Sequence, residues 1–201
     1  MISQIHLDDL AASARHGAGN AGSMLSRWLH REVRIEVCSV ASVRLDLIPQ
    51  EGEDAGATTI TIASRVNGGL PGNAAVQLSY ADATQLVVCL GGKLPGEEQA
   101  GGIGEMERSM LQETANILFS SMMNGMASRM DIVAVPLAPV VLVDVGTAAW
   151  DALLIESAAC ADDAVVVTAR IACIGSGPTI HLVFLPSPEV LHAITRGAGH
   201  D

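Results

Sequence analysis

Residues 105–130 read EMERSMLQETANILFSSMMNGMASRM, and the reading of this stretch decides the fold. No proline interrupts it. At about 100° per residue, Met110, Leu111, Thr114, Ala115, Leu118 and Met122 gather on one side, while Ser109, Glu113, Asn116 and Ser120 fall within a narrow arc on the other. The spacing predicts one long amphipathic helix with its aliphatic side on a sheet. The run Met122-Met-Asn-Gly-Met126 reads as core filler, because unbranched thioether side chains fit irregular gaps.

The surrounding elements repeat. After the helix, Ile132–Val135 reads as a strand, then Val165–Ala169 and Ile180–Phe184 as two more, separated by Gly175-Ser-Gly-Pro178. Ser187 can cap a last helix over 188–195, with Pro188 at its first position. An extra amphipathic helix is expected over 147–158, around Trp150. The first half runs in the same order. A helical stretch covers Leu7–Leu29, which the step Gly17-Ala-Gly19 can split in two. Strands follow at Val33–Val37, Thr58–Ile62 and Ala74–Leu78, the last two joined by the turn Asn67–Gly72. Asp82 can cap a helix over Ala83–Leu90. A shift of 101 residues carries Asp8 onto Ser109, and Met24-Leu-Ser-Arg27 lies almost on Met126-Ala-Ser-Arg129. The expected fold class is α+β: two helix–strand–strand–strand–helix units, about 7–91 and 105–196, forming one antiparallel sheet with the long helices packed across it. The linker Gly91–Gly104 is rich in Gly, Pro and Glu, and the whole of 1–201 is read as one domain.

Composition narrows the function. With 49% apolar but only 2% aromatic residues, the core must be aliphatic and Met-rich. A formal charge of −11 disfavours nucleic acid and anionic membrane surfaces as partners. No stretch is long and apolar enough to span a bilayer, and Met1–His6 lacks the features of a secretory signal, so a cytoplasmic location is expected. Cys38, Cys89, Cys160 and Cys173 form no CxxC pair, and the first, second and last lie among apolar residues, which reads as buried, reduced thiols. No histidine pair has metal-ligand spacing on a helix. The adjacent Asp162 and Asp163 alternate across a strand entry and suit a loop better than a metal.

The polar arc on the long helix is the candidate site. Such an arc is ordinarily a solvated face, yet mid-helix Asn is a poor helix former, and Glu113 has no basic neighbour at i±4. A carboxamide can hold a water molecule, and a carboxylate beside it can grip a partner's cation. The full pattern, Ser109-x3-Glu113-x2-Asn116-x22-Pro139, resembles the active-site signature of the CheC/CheX/FliY family of CheY-P phosphatases. The length and duplicated layout resemble CheC most, and Gly17–Gly22 is a weaker match to the same proteins.

The resemblance implies a hydrolase that removes the aspartyl phosphate of a CheY-like response regulator. Asn116 would orient the attacking water and Glu113 would pair with the partner's lysine. Ser109 would sit at the edge of the contact and Pro139 would shape it. No cofactor of its own is implied, since Mg2+ would be held by the receiver domain. CheC-like proteins typically carry the signature twice, whereas the corresponding first-half positions are Asp8, Ala12, Arg15 and Cys38. That first site is therefore expected to be dead. The alternative is a non-catalytic chemotaxis adaptor that binds CheD or a receiver domain.

Overall fold

The 26 residues Gln4–Leu29 form one continuous helix, α1. The computed structural model describes residues 4–44, 58–93, 103–145, 163–175, 177–187 and 190. Its first helix does not break at Gly17-Ala-Gly19, and the reason is tertiary. A Cβ on Gly17 would run into the Met122 carbonyl oxygen, and one on Gly125 would stand 2.7 Å from the Gly17 Cα. The second long helix, α3 (Glu105–Arg129), thus crosses α1 backbone against backbone. A glycine inside a helix costs about 1 kcal/mol relative to alanine, an amount that packing along two long helices readily offsets. The Trp28 indole N–H donates to Thr114 Oγ1 at 3.0 Å, while Gly17 meets Met122 and Met126, so the pair runs antiparallel.

The 101-residue repeat is visible in the burial of the two helices. In α1 the buried residues include Leu10, Ser13, Ala14, Gly17, Ala18, Ala21, Gly22 and Leu25. Their counterparts Leu111, Thr114, Ala115, Leu118, Phe119, Met122, Met123 and Met126 are all buried in α3. From Gly17 to Gly22, small residues in α1 correspond to Leu, Phe and Met in α3, so thin and thick surfaces meet. Met122, Met123 and Met126 are core residues, as their composition suggested. Each helix closes on a left-handed residue at equivalent positions, His30 (φ 51°) and Asp131 (φ 53°).

From those turns the chain enters β1 (Val33–Arg44) and its counterpart, which is split into β4 (Ala134–Pro136) and β5 (Val140–Val145). The hairpin β2 (Thr58–Gly68) and β3 (Gly72–Ser79) matches β6 (Asp163–Cys173) and β7 (Thr179–Pro186). The seven strands form one antiparallel sheet in the order β1-β6-β7-β3-β2-β4, with β5 also on β2. The two halves exchange their first strands: β1 pairs with the second hairpin, while β4 and β5 pair with the first. The core lies between the long helices and the sheet face carrying Ile60, Ile62, Val76, Leu78, Val167, Leu182 and Phe184. A smaller cluster, Ala75, Val166, Val183 and Leu185, occupies the opposite face.

Several local expectations need correction. The short helix α2 spans Tyr80–Cys89, and its N-cap is Ser79 rather than Asp82. Asp82 instead accepts from the Ser79 hydroxyl at 2.6 Å and from the Thr179 backbone N–H at 3.0 Å, which ties α2 to the start of β7. Val140–Val145 is a strand that its proline-flanked sequence concealed. Cys38 is exposed, because it occupies an irregular point of an edge strand, while Cys89 is half-buried and Cys173 buried. Burial first, and then neighbouring Cys89, push the Cys173 thiol up, which keeps it protonated and unreactive. The helices expected over 147–158 and 188–195 lie outside the described residues, Val190 excepted, as do Cys160 and Asp162. No helix among the described residues is long and apolar enough to cross a membrane.

The helix crossing has a direct test in two glycines of one helix. A Cβ on Gly19 meets nothing within 4 Å, unlike one on Gly17. Gly19→Ala is expected to stabilise the protein by about 0.5–1 kcal/mol, through helix propensity and a less flexible unfolded chain. Gly17→Ala is expected to destabilise it by about 1–3 kcal/mol, through overpacking at the crossing. Urea unfolding midpoints of the two variants would shift in opposite directions; a shared direction would contradict the close approach.

Candidate functional site

The site is built where α3 passes the interrupted edge strand. Ser109 and Glu113 are exposed on α3, and Asn116 is half-buried one turn further along. The three lie within an arc of about 60° around the helix axis. Asn116 Nδ2 stands 3.5 Å from Glu113 Oε2, at the outer limit of a hydrogen bond. The carboxamide and carboxylate are neighbours, therefore, without being locked to each other, and both keep polar atoms for a third group.

Pro139 enters from the strand. β4 pairs with Val66–Gly68 and β5 with Thr58–Ala63, so Leu137, Ala138 and Pro139 stand opposite only Ser64 and Arg65 of β2. The irregularity is held by the Leu137 N–H donating to the Arg65 carbonyl at 2.8 Å, and by the Ser64 hydroxyl donating to the Leu137 carbonyl at 2.7 Å. Proline has no N–H to contribute to a ladder, and an edge-strand bulge is where a sheet tolerates it. Its side chain is buried.

Two α3 residues fasten the helix to this strand. Gln112 Nε2 donates to the Pro139 carbonyl at 2.7 Å, and an Arg108 guanidinium N–H donates to the Val141 carbonyl at 2.7 Å. Arg108 and Gln112 are four apart, hence on one side of the helix, and they directly precede Ser109 and Glu113. Sequence reasoning passed over both, because polar side chains on an amphipathic helix look alike until their partners are known. Their i, i+4 spacing beside the polar arc was the only available hint.

The first half offers the comparison. Asp8 is exposed and accepts from Gln4 at 3.0 Å, Ala12 is half-buried and Arg15 is exposed. Cys38 falls at the skip in register between Val37 and Ser39, the place that Pro139 holds in the other edge strand. Leu7 and Ala11 stand where Arg108 and Gln112 stand in α3, so the fastening residues change along with the signature. Among the described residues no three His, Cys, Asp or Glu come close enough together to hold a metal ion.

No family model matches the sequence, and neither does any curated protein. Solved structures do match its shape. FliY of Thermotoga maritima is similar over 98% of this chain and 96% of its own, with TM-score 0.68 and 17% identity. The FliG–FliM complex of H. pylori contains a chain similar over 95% of this one and 100% of its own, with TM-score 0.61 and 14% identity. CheX of Desulfovibrio desulfuricans is similar over 88% of this chain and 99% of its own, with TM-score 0.51 and 11% identity. The fold is common to these proteins and so does not single out CheC. They belong to the CheC/CheX/FliY fold family, and the chain has that fold.

Proposed function

We propose that the chain is a protein aspartyl-phosphate phosphatase acting on the receiver domain of a CheY-like response regulator. The observation that carries this reading is the pairing of Glu113 with Asn116 on an accessible face of α3, in a half whose counterpart shares eight buried helix positions but neither side chain. Packing does not account for the two residues, since the same helix position is filled by Ala12 and Arg15 in α1.

The chemistry asks little of the protein beyond positioning. An acyl phosphate is already activated, and its hydrolysis is governed by placement of water and stabilisation of charge on the transferring phosphoryl group. Asn116 would enter the receiver's site and hold a water through its carboxamide. The water oxygen attacks phosphorus, the bond from phosphorus to the aspartyl oxygen breaks, and phosphate leaves with the partner's carboxylate restored. Glu113 would pair with the receiver's lysine and set the docking register. Ser109 would line the rim, and Pro139 would shape the surface beside it. Mg2+ would come with the receiver, as would the cations that neutralise phosphate charge.

A second reading, a non-catalytic adaptor that binds CheD or a receiver domain, draws on two observations. The first half has Ala12 and Arg15 where the second has Glu113 and Asn116, and the same fold occurs in a FliG–FliM complex. The readings separate by stoichiometry: a phosphatase accelerates phosphate loss at a small fraction of the receiver's concentration, and an adaptor acts only near equimolar amounts.

Two outcomes follow for the site residues. Asn116→Ala should reduce dephosphorylation of a phosphorylated CheY receiver by about a hundredfold or more, measured as phosphate release. Glu113→Gln should act chiefly by raising KM and by flattening the dependence on salt, because it removes a charge from docking. Full activity in both would assign the chemistry elsewhere. Neither residue supports the fold, so Asn116→Ala should leave thermal stability unchanged or raise it by about 0.5 kcal/mol, through better helix propensity. A clear loss of stability would mean that the stripe is structural.

A further inference from the structure

We propose that Gln112 and Arg108 are positioning residues that fix the rotation of α3 about its own axis, and so set where Asn116 and Glu113 point. The proposal rests on the phosphatase reading above. Both side chains end on backbone carbonyls of the edge strand, Pro139 and Val141, at 2.7 Å each. Both bonds are partly buried, and the two carbonyls flank the point where the strand resumes after its bulge. Two fixed points on one side of a helix, one turn apart, resist rolling as well as sliding. The carbonyls are themselves well placed, since β5 is paired with β2 and the bulge is held through Ser64 and Leu137.

The geometry makes this fastening matter. A side-chain tip about 6 Å from the helix axis moves about 1 Å when the helix rolls by about 10°. A displacement of that size at a reacting centre costs on the order of a hundredfold in rate. The buried side of α3 is rich in methionine, Met122, Met123 and Met126, whose unbranched side chains repack more readily than branched ones. The duplicated helix supplies the control. α1 shares eight buried positions with α3 and passes an edge strand with the same irregularity, yet carries Leu7 and Ala11 in place of the two donors. The fastening is therefore not a requirement of the fold, and it occurs in the half that has the carboxamide and the carboxylate. It also gives the fixed distance from Asn116 to Pro139 a physical meaning, since Pro139 shapes the strand that presents the carbonyl to Gln112.

The test uses steady-state dephosphorylation of a CheY receiver domain charged with acetyl phosphate and Mg2+, with each variant assayed well below its own thermal midpoint. Gln112→Met and Arg108→Met remove the donors while keeping long, helix-compatible side chains. Each should lower kcat by about tenfold to a hundredfold with KM within a factor of about two. Arg108→Lys, which keeps a donor able to reach the Val141 carbonyl, should recover most of the rate. Parental kcat in both methionine variants, or a loss confined to KM, would overturn the positioning role while Asn116→Ala remains inactive and the phosphatase reading stands. If the parent protein releases no phosphate, or Asn116→Ala keeps the parental rate, the phosphatase reading fails and takes the positioning role with it.

Discussion

The close approach of α1 and α3 at Gly17 and Gly125 is the constraint on which the rest of the structure depends. Without side chains at these points the two backbones come into contact, and the helices form one layer thin enough to sit on a single sheet. The Trp28–Thr114 hydrogen bond then fixes their antiparallel alignment away from the crossing. Because the helices meet about a pseudo-two-fold axis, the sheet beneath inherits the same relation. Each half sends its first strand to the other half's hairpin, which leaves β1 at one edge and β4 with β5 at the other. The exchange ties the halves together: separating them would break strand pairings and helix packing at once.

A duplicated scaffold separates what the fold needs from what a task needs. Eight of the nine buried positions of α1 recur in α3, the helices end in the same left-handed turn, and both edge strands lose register at the same point. These are requirements of folding. The differences collect on the outer face: Glu113, Asn116, Gln112, Arg108 and Pro139 on one side, against Ala12, Arg15, Ala11, Leu7 and Cys38 on the other. A solvated surface would be expected to differ residue by residue without pattern. Here the polar pair and the donors that fasten its helix are present together in one half and absent together in the other.

Much of the fold was legible because it is written in local periodicity. The long helices, both hairpins and their order follow from spacing and turn residues, and the 101-residue repeat follows from comparing them. What was not legible depends on partners distant in sequence. The Gly17-Ala-Gly19 step reads as a break until α3 is known to need the space. Val140–Val145 reads poorly as a strand because Pro136 and Pro139 precede it, and only its pairing with β2 shows that the prolines sit at a bulge. The strand exchange leaves no local trace at all. At the site, Ser109, Glu113, Asn116 and Pro139 could be named from their spacing, whereas Arg108 and Gln112 gain meaning only from the carbonyls they reach.

The core carries its own asymmetry, and it bears on why the proposed site lies in the second half. Gly17, Ala18, Ala21 and Gly22 correspond to Leu118, Phe119, Met122 and Met123, so α1 has become the thin partner and α3 the thick one. Close packing permits this only if the two changes go together, since a large residue on both helices would overfill the crossing and a small one on both would leave a cavity. The thick helix therefore supplies most of the side-chain volume where the two helices meet. Its Arg108 and Gln112 side chains also donate to carbonyls of the neighbouring strand. Catalysis by positioning favours a platform held by directed bonds as well as by packing, because its gain comes from side chains that are already in place when the partner docks.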